Sequence, residues 1–242
     1  MKLVALIPHY NHLQSIGIVA AAMRAQGYPV YIVDDGSDAA SRDVLHRLSE
    51  CDENITILQR AKNGGKGSAV KMGLLAAQWA GFTHVLQVDA DAQHCLADAA
   101  KLTAAAEQQP EALICAHPLY GSDAPKSRLY GRKITNFWIT VNSGSLQLKD
   151  GMCGFRVYPL AAVMPIVRRE YLGNRMDFDT EILVHAHWRG IPMVWIDTPV
   201  RYIDGGVSHF RVWADNGLIS KMHARLFFKM LRRRLFRQPF HE

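Results

Sequence analysis

Asp89, Asp91 and Gln93 stand two residues apart, directly behind the apolar run of the segment VLQVDADAQH. On an extended chain that spacing turns three oxygen-bearing side chains to one side. Hard divalent cations, Mg²⁺ and Mn²⁺, take oxygen ligands. Mg²⁺ typically binds through one or two carboxylates, with substrate phosphates completing its shell. The triplet therefore predicts a metal site acting on a phosphorylated ligand, against the competing reading of a plain surface turn after a buried strand.

Three further clusters carry suitable chemistry. In DDGSD, Asp34 or Asp35 can accept hydrogen bonds from a base N–H or a ribose hydroxyl. Gly36 and Ser37 make a tight turn, and Asp38 or Ser41 caps the next helix. KNGGKGSAV, from Lys62 to Val70, resembles a phosphate loop but fails the Walker spacing, because Arg60 occupies the place of the first glycine and Gly67 follows Lys66. It still offers backbone N–H groups and one ammonium at a helix start. The pair DGMCGFRVY and RMDFDTEIL supplies Asp150, Asp177, Asp179 and Glu181. Acids at a helix start also serve the helix dipole, which leaves the second stretch open between structure and catalysis. His185 and His187 lie two apart and do not share a helix face, so a zinc pair is not expected.

The elements needed to position these clusters read as βαβ units. Strands are expected at 2–8, 30–34, 55–58 and 83–88, separated by helices at 15–26, 41–49 and 68–79. Pro8 to Asn11, DDGSD and the acidic triplet then all fall at strand carboxyl ends, where open α/β sheets bind ligands. Further on, the pattern gives strands at 112–116, 154–158 and 193–203, the last interrupted by Pro199, and helices at 128–141 and 178–189. One continuous domain is expected, with a nucleotide-binding half over 1–117 and an acceptor half over 118–217.

The 242 residues are 49% hydrophobic, enough for a sizeable core. The formal net charge of +6 is concentrated from Lys221 to Glu242, where seven Lys/Arg face one acid. There Lys221, Arg225, Lys229 and Arg232 form a basic stripe beside Ile219, Met222, Leu226 and Met230. A basic amphipathic helix over 218–242 is expected, lying on an anionic membrane surface; packing on the body is the alternative. No nucleic-acid motif accompanies the charge, so nucleic acid is not an expected partner. Four widely spaced cysteines argue against a zinc ribbon or disulfide framework and fit a reducing, cytoplasmic setting. MKLVALIP is too short and too soon stopped by Pro8 to read as a leader, and no run reaches the length of a membrane span. Membrane contact is thus expected to be peripheral, on the inner face.

In order along the chain, P-x-Y-N (Pro8, Tyr10, Asn11), VDDGSD, NGGKG, DADAQH, CGFR and FDTE resemble the family 2 glycosyltransferases, and most closely their dolichyl- or polyprenyl-phosphate sugar synthase branch. The resemblance implies a GT-A fold, an α/β domain with a mostly parallel central sheet flanked by helices. It implies an inverting transfer from a UDP- or GDP-linked sugar to a lipid-linked or lipid-like acceptor. Tyr10, Asn11 and Asp35 would hold the nucleoside with Pro8 and Asp34 beside them, and Lys66 would lie near the phosphates. Asp91 and Gln93 would ligate Mg²⁺ or Mn²⁺, with Asp89 bridging metal and nucleotide. The chain departs from the branch at its acceptor contacts. Gly121, Ser122 and Asp123 stand where Gly-Ser-Arg is usual, and Asp204 where an arginine is expected. Arg128, Arg132 and Lys133 persist and could still meet a phosphate; with a hydroxyl acceptor, Ser208, His209 and Arg211 would belong to an acceptor loop. A hydroxyl acceptor would need a general base, for which Asp179 comes first, then Asp150 and Glu181. The rivals are a sugar nucleotidyltransferase, which lacks its Gly-rich signature after the first strand, and a binding module without turnover.

Overall fold

The computed structural model describes residues 1–121, 126–200 and 212–236. The first half alternates strand and helix: β1 (Leu3–His9), α1 (Ile16–Ala25), β2 (Val30–Asp34), α2 (Ala39–Cys51), β3 (Ile55–Gln59), α3 (Lys66–Trp79) and β4 (His84–Gln87). A 3-10 turn then leads into α4 (Ala99–Gln108), β5 (Leu113–Tyr120), α5 (Lys126–Ser143), β6 (Arg156–Pro159), α6 (Leu160–Arg169), α7 (Phe178–Trp188), β7 (Met193–Val200) and α8 (Val212–Leu235).

The strands form one seven-stranded sheet in the order β3-β2-β1-β4-β6-β5-β7. All neighbours are parallel except β6, which runs antiparallel to both β4 and β5. The βαβ units require parallel pairing, because each crossover helix returns the chain to the same starting edge. Alternate residues of β1 feed opposite layers: Val4 and Leu6 pack with α3, α6, α7 and α8, whereas Leu3, Ala5 and Ile7 pack with α1, α2 and α4. The two expected halves therefore share one sheet, and no boundary at 117/118 interrupts it.

The C-terminal helix differs from expectation. It begins at Val212, so the anticipated boundary at 217/218 falls inside it. Its apolar stripe does not face outward: Met222, Leu226 and Met230 are buried within the same core as α7. Its basic stripe is partly spent on the body as well. Arg225 grips Glu181 through two hydrogen bonds of 2.9 Å, Lys229 pairs with Glu170, and Arg233 lies over the Trp188 ring at 5.7 Å. Packing on the body offered apolar burial together with acid partners, one of them buried, which a headgroup surface would have had to match.

Candidate functional site

Asp34 and Asp35 close β2 and are both buried, at 1% and 2% exposure, yet they do different things. Asp34 accepts from Ser37 N at 3.1 Å, and its Oδ1 lies 3.5 Å from His9 Nδ1. Burial opposes its ionisation, but the His9 and Ser37 contacts outweigh burial and hold its carboxyl below the usual range. Its Oδ2 is buried without a hydrogen-bond partner. Asp35, expected to hold the nucleoside, meets the glycine loop: it accepts from Gly64 N at 3.0 Å and Gly65 N at 2.6 Å and pairs with Arg60. Gly65, at φ 97°, adopts a backbone that side-chain-bearing residues rarely take. Asp35 thereby anchors the entry to α3, while one buried oxygen of Asp34 is left without a hydrogen-bond partner.

Asn11, at φ 53°, stitches the first loop to the second, its side chain accepting from Asp38 N at 3.0 Å and Ser41 Oγ at 3.3 Å. Pro8 pairs in register with Val33 at the end of β1, and Tyr10 follows it, half-buried, at the same rim.

Lys66, the first residue of α3, lies at the centre. Its Nζ is 2.7 Å from Asp89 Oδ1 and 2.8 Å from Asp179 Oδ2. Burial works against its charge, but Asp179 and Asp89 more than offset this and the ammonium is held well above its ordinary pKa. Asp89 is held far below the carboxylate range: burial raises it, and Lys66 and then His94, whose Nε2 is 3.6 Å away, pull it down. Gln87, fully buried on β4, accepts from the Tyr158 hydroxyl at 3.1 Å and donates to Asp179 Oδ1 at 3.4 Å. Arg156 on β6 fixes the main chain around them, donating to the carbonyls of Asp179 at 2.6 Å and Gly151 at 3.0 Å. Gly154 leaves the cluster its space: a Cβ there would lie 2.5 Å from Lys66 Nζ and 2.8 Å from Asp89 Oδ1.

The acidic triplet is not extended. β4 ends at Gln87 and the chain turns over Ala90 and Asp91. Asp91 Oδ1 accepts from Gln93 N at 3.1 Å, and Ala92 is left-handed at φ 58°. This local Asx-type bond outcompetes strand geometry, so period-two alignment does not hold here. A divalent cation nevertheless fits the donor set. Asp89 Oδ1 is buried with an ion contact but no aligned hydrogen bond, and Asp91 is half-exposed beside it. Among the described residues no group of three His, Cys, Asp or Glu side chains could hold a metal. Any ion here would take most of its shell from phosphate and water, the habit of Mg²⁺.

The three base candidates part company. Asp179 belongs to the Lys66 cluster. Asp150 caps its own turn, accepting from Met152 N at 2.9 Å and Cys153 N at 2.8 Å, and pairs with Arg132. Glu181, at 0% exposure, points away from the cluster to Gly173 N at 2.7 Å and to Arg225, so it secures α8 and is no longer a candidate. Nothing in the sequence linked Glu181 to a partner 44 residues later. Arg132 lines a pocket of about 210 Å³ with His117, Tyr120, Lys133 and Asp150, and its guanidinium lies 5.0 Å from the Tyr120 ring centre. Arg128 lies in the first turn of α5. The acceptor-loop residues Ser208, His209 and Arg211 lie outside the described residues, as do Ser122, Asp123 and Asp204. Sequence reasoning assigned no role to Gln87, nor to His94, Gly154 and Arg156, although the last three lie inside the DADAQH and CGFR motifs. For Gln87 the available signal was a glutamine in an otherwise apolar strand.

The profile described as "Glycosyl transferase family 2" matches residues 4–174. A dolichyl-phosphate beta-glucosyltransferase of Drosophila melanogaster is 27% identical over 240 residues, covering 90% of this chain and 72% of that protein. One from Trichomonas vaginalis is 28% identical over 186 residues, covering 74% of this chain, which spans only 56% of that relative's length. Among solved structures, glucosyl-3-phosphoglycerate synthase from Mycobacterium tuberculosis, crystallised with Mn²⁺, UDP and phosphoglyceric acid, superposes with TM-score 0.69 at 11% identity, covering 95% of this chain and 78% of that one. TarS of S. aureus with UDP-GlcNAc gives 0.63 at 15% identity, covering 93% and 66%. These likenesses share the GT-A architecture, and with the profile match over most of the sheet they establish that the chain belongs to glycosyl transferase family 2.

Proposed function

We propose that this chain is a metal-dependent, inverting glycosyltransferase that moves a sugar from a UDP- or GDP-linked donor to a lipid-linked acceptor. The observation that carries this reading is the Lys66–Asp89–Asp179 cluster, set at the same sheet edge as Asp34 and the glycine loop held by Asp35. The nucleoside would lie along Tyr10, Asn11 and Asp35 with Asp34 beside them, and the unpartnered Asp34 oxygen is the acceptor in this group without a donor. Asp89, Asp91 and Gln93 would hold Mg²⁺ or Mn²⁺, which neutralises the charge growing on the leaving diphosphate. Lys66 would add its ammonium to the same charge, and the α3 N-terminus its dipole.

The relatives' names favour a phosphate acceptor. An ionised phosphate attacks without a general base, so Asp179 need not be one. Its contacts suit holding Lys66. Arg132 and Lys133, in the pocket beside Asp150, are the cations available to a lipid phosphate.

Among the described residues no helix is long and apolar enough to cross a membrane. With the apolar stripe of α8 buried, we assign bilayer contact to the outer face of α5. There Tyr130, Ile134 and Phe137 are each more than 60% exposed and Trp138 lies beside Phe137, flanked by Lys133. Aromatic rings with nearby lysines suit a headgroup interface.

The test is a thermal-shift panel of nucleoside diphosphates and their sugars, with and without Mn²⁺, on the parent chain and Asp91→Ala. A ligand that binds only the folded state raises its apparent stability by mass action. A metal-dependent shift with one base, lost in the variant, supports the reading. Metal-independent shifts of equal size in both proteins would remove it.

A further inference from the structure

We propose that Lys66 is a resident counter-ion that disfavours a cation beside Asp89 until a nucleoside diphosphate arrives, so that metal and donor each strengthen the other's binding. This rests on reading Asp89 and Asp91 as the metal-holding carboxylates.

The geometry behind it is specific. One ammonium touches two acidic oxygens, Asp89 Oδ1 at 2.7 Å and Asp179 Oδ2 at 2.8 Å, and so fills the electrostatic role of a cation at that carboxylate. The Lys66 side chain is only 15% exposed, and those of Asp89 and Asp179 are 22% and 3% exposed, so water screens the contacts weakly. Asp179 is itself steadied by Gln87, which Tyr158 holds in turn. The absence of a side chain at Gly154 leaves room for the ammonium in this position.

A divalent ion entering beside Asp89 alone would meet that ammonium within a few ångströms, in a poorly screened site where the Asp89 oxygen already has a cation against it. A diphosphate changes the balance, because its negative charges can take up both the ammonium and the metal. Lysine suits the exchange: a compact charge on a flexible four-carbon stem can swing from carboxylate to phosphate without moving the backbone of α3. The ammonium then contributes twice, disfavouring free metal before the donor binds and contacting phosphate afterwards. By linkage, the factor by which nucleotide raises metal affinity equals the factor by which metal raises nucleotide affinity.

The experiment titrates Mn²⁺ into the parent chain and Lys66→Met, following free Mn²⁺ by its electron paramagnetic resonance signal, with and without saturating UDP or GDP. In the parent, nucleotide is expected to raise Mn²⁺ affinity about 30-fold, within the usual range of coupling. Lys66→Met is expected to bind Mn²⁺ alone about tenfold more tightly than the parent, with the nucleotide effect reduced to about threefold. Lys66→Gln, which keeps a polar tip without the charge, covers the case in which the methionine variant does not fold. If Lys66 is only a phosphate ligand, both variants weaken nucleotide binding and leave Mn²⁺ alone unchanged, which overturns the proposal while the metal reading stands. If the parent binds no Mn²⁺ even with nucleotide, the metal reading falls and takes this proposal with it.

Discussion

Replacing Arg225 with leucine isolates the contact that fastens α8 to the body. Glu181 is fully buried and receives three hydrogen bonds: two of 2.9 Å from Arg225 and one of 2.7 Å from Gly173 N. Breaking a buried ion pair from one side costs about 3–5 kcal/mol, because the abandoned charge keeps its desolvation penalty. The Arg225 side chain is 35% exposed, so water can reach part of the vacated space. We therefore expect a loss somewhat below that range, about 2–3 kcal/mol at neutral pH. For a chain of this size that lowers Tm by roughly 5–10 °C.

The sign with pH is set by Glu181. Burial pushes its carboxyl above the ordinary value despite Gly173 and Arg225, and losing the arginine pushes it further. A carboxyl raised in the folded state favours folding below its unfolded pKa and loses that contribution as pH rises through the folded value. The deficit of Arg225→Leu relative to the parent should therefore shrink as pH falls from 7 towards 5. Urea unfolding of both proteins at several pH values measures this. The double variant Glu181→Gln, Arg225→Leu should be less destabilised than Arg225→Leu alone, since no buried charge is left behind. A loss below about 0.5 kcal/mol, the scale of an ordinary surface change, would refute the reasoning, as would a double variant worse than the single.

The parent's own acid response should run the other way. Burial lowers His223 to about 4 and His185 to about 3, so stability should fall as pH drops below the histidine range, and His223→Gln should flatten that slope in the same urea series. Gly154→Ala should cost about 1–3 kcal/mol through crowding against Gln87 and Lys66, and should abolish any metal-dependent thermal shift. Of the four thiols, Cys51 is exposed and Cys95 half-buried, whereas burial pushes Cys115 and Cys153 up to about 12. A thiol reagent should therefore modify Cys51 readily and reach Cys115 and Cys153 only on unfolding. Ile134→Glu with Phe137→Glu should abolish flotation with anionic vesicles and leave Tm and nucleotide-induced shifts intact; unchanged flotation would remove α5 as the bilayer face. Deleting 218–242 is not an equivalent test, because it strips Met222, Leu226 and Met230 from the core.

The first half was legible because its signals are local. Val30 to Asp34 and Ile55 to Gln59 are short β-branched runs closed by polar residues, and α1 carries Ile16, Val19, Ala20 and Met23 on one buried face. Other elements gave weaker signals. The segment AAKLTAAAEQ of α4 is built of small residues with a weak apolar stripe and no side-chain cap, and α6 holds Pro165 inside it. The direction of β6 could not be read from four residues, since chain direction in a sheet is decided by neighbours. The site divides the same way. DDGSD, the glycine loop and the acidic triplet were found by type and spacing, and the structure brings all three to one edge. The contacts that hold Asp35 were invisible, because they depend on Arg60 and the Gly64–Gly65 amides folding back onto β2. The apolar stripe of α8 was found, but a stripe alone does not say whether protein or lipid covers it.

The place of β6 has a consequence for how the polypeptide is made. β5 has no hydrogen-bonded contact with β4; both pair with β6, which is synthesised after them. Once β5 has left the ribosome, the open flank of β4 has no partner until roughly 40 more residues are added, an interval of about 2–8 s at ordinary translation speeds. During that time the nascent chain displays the edge of a buried, apolar strand, the kind of surface that recruits chaperones or pairs wrongly with another chain. Shortening that interval, or slowing it with rare codons over 121–155, should alter soluble yield without changing a single contact in the finished molecule.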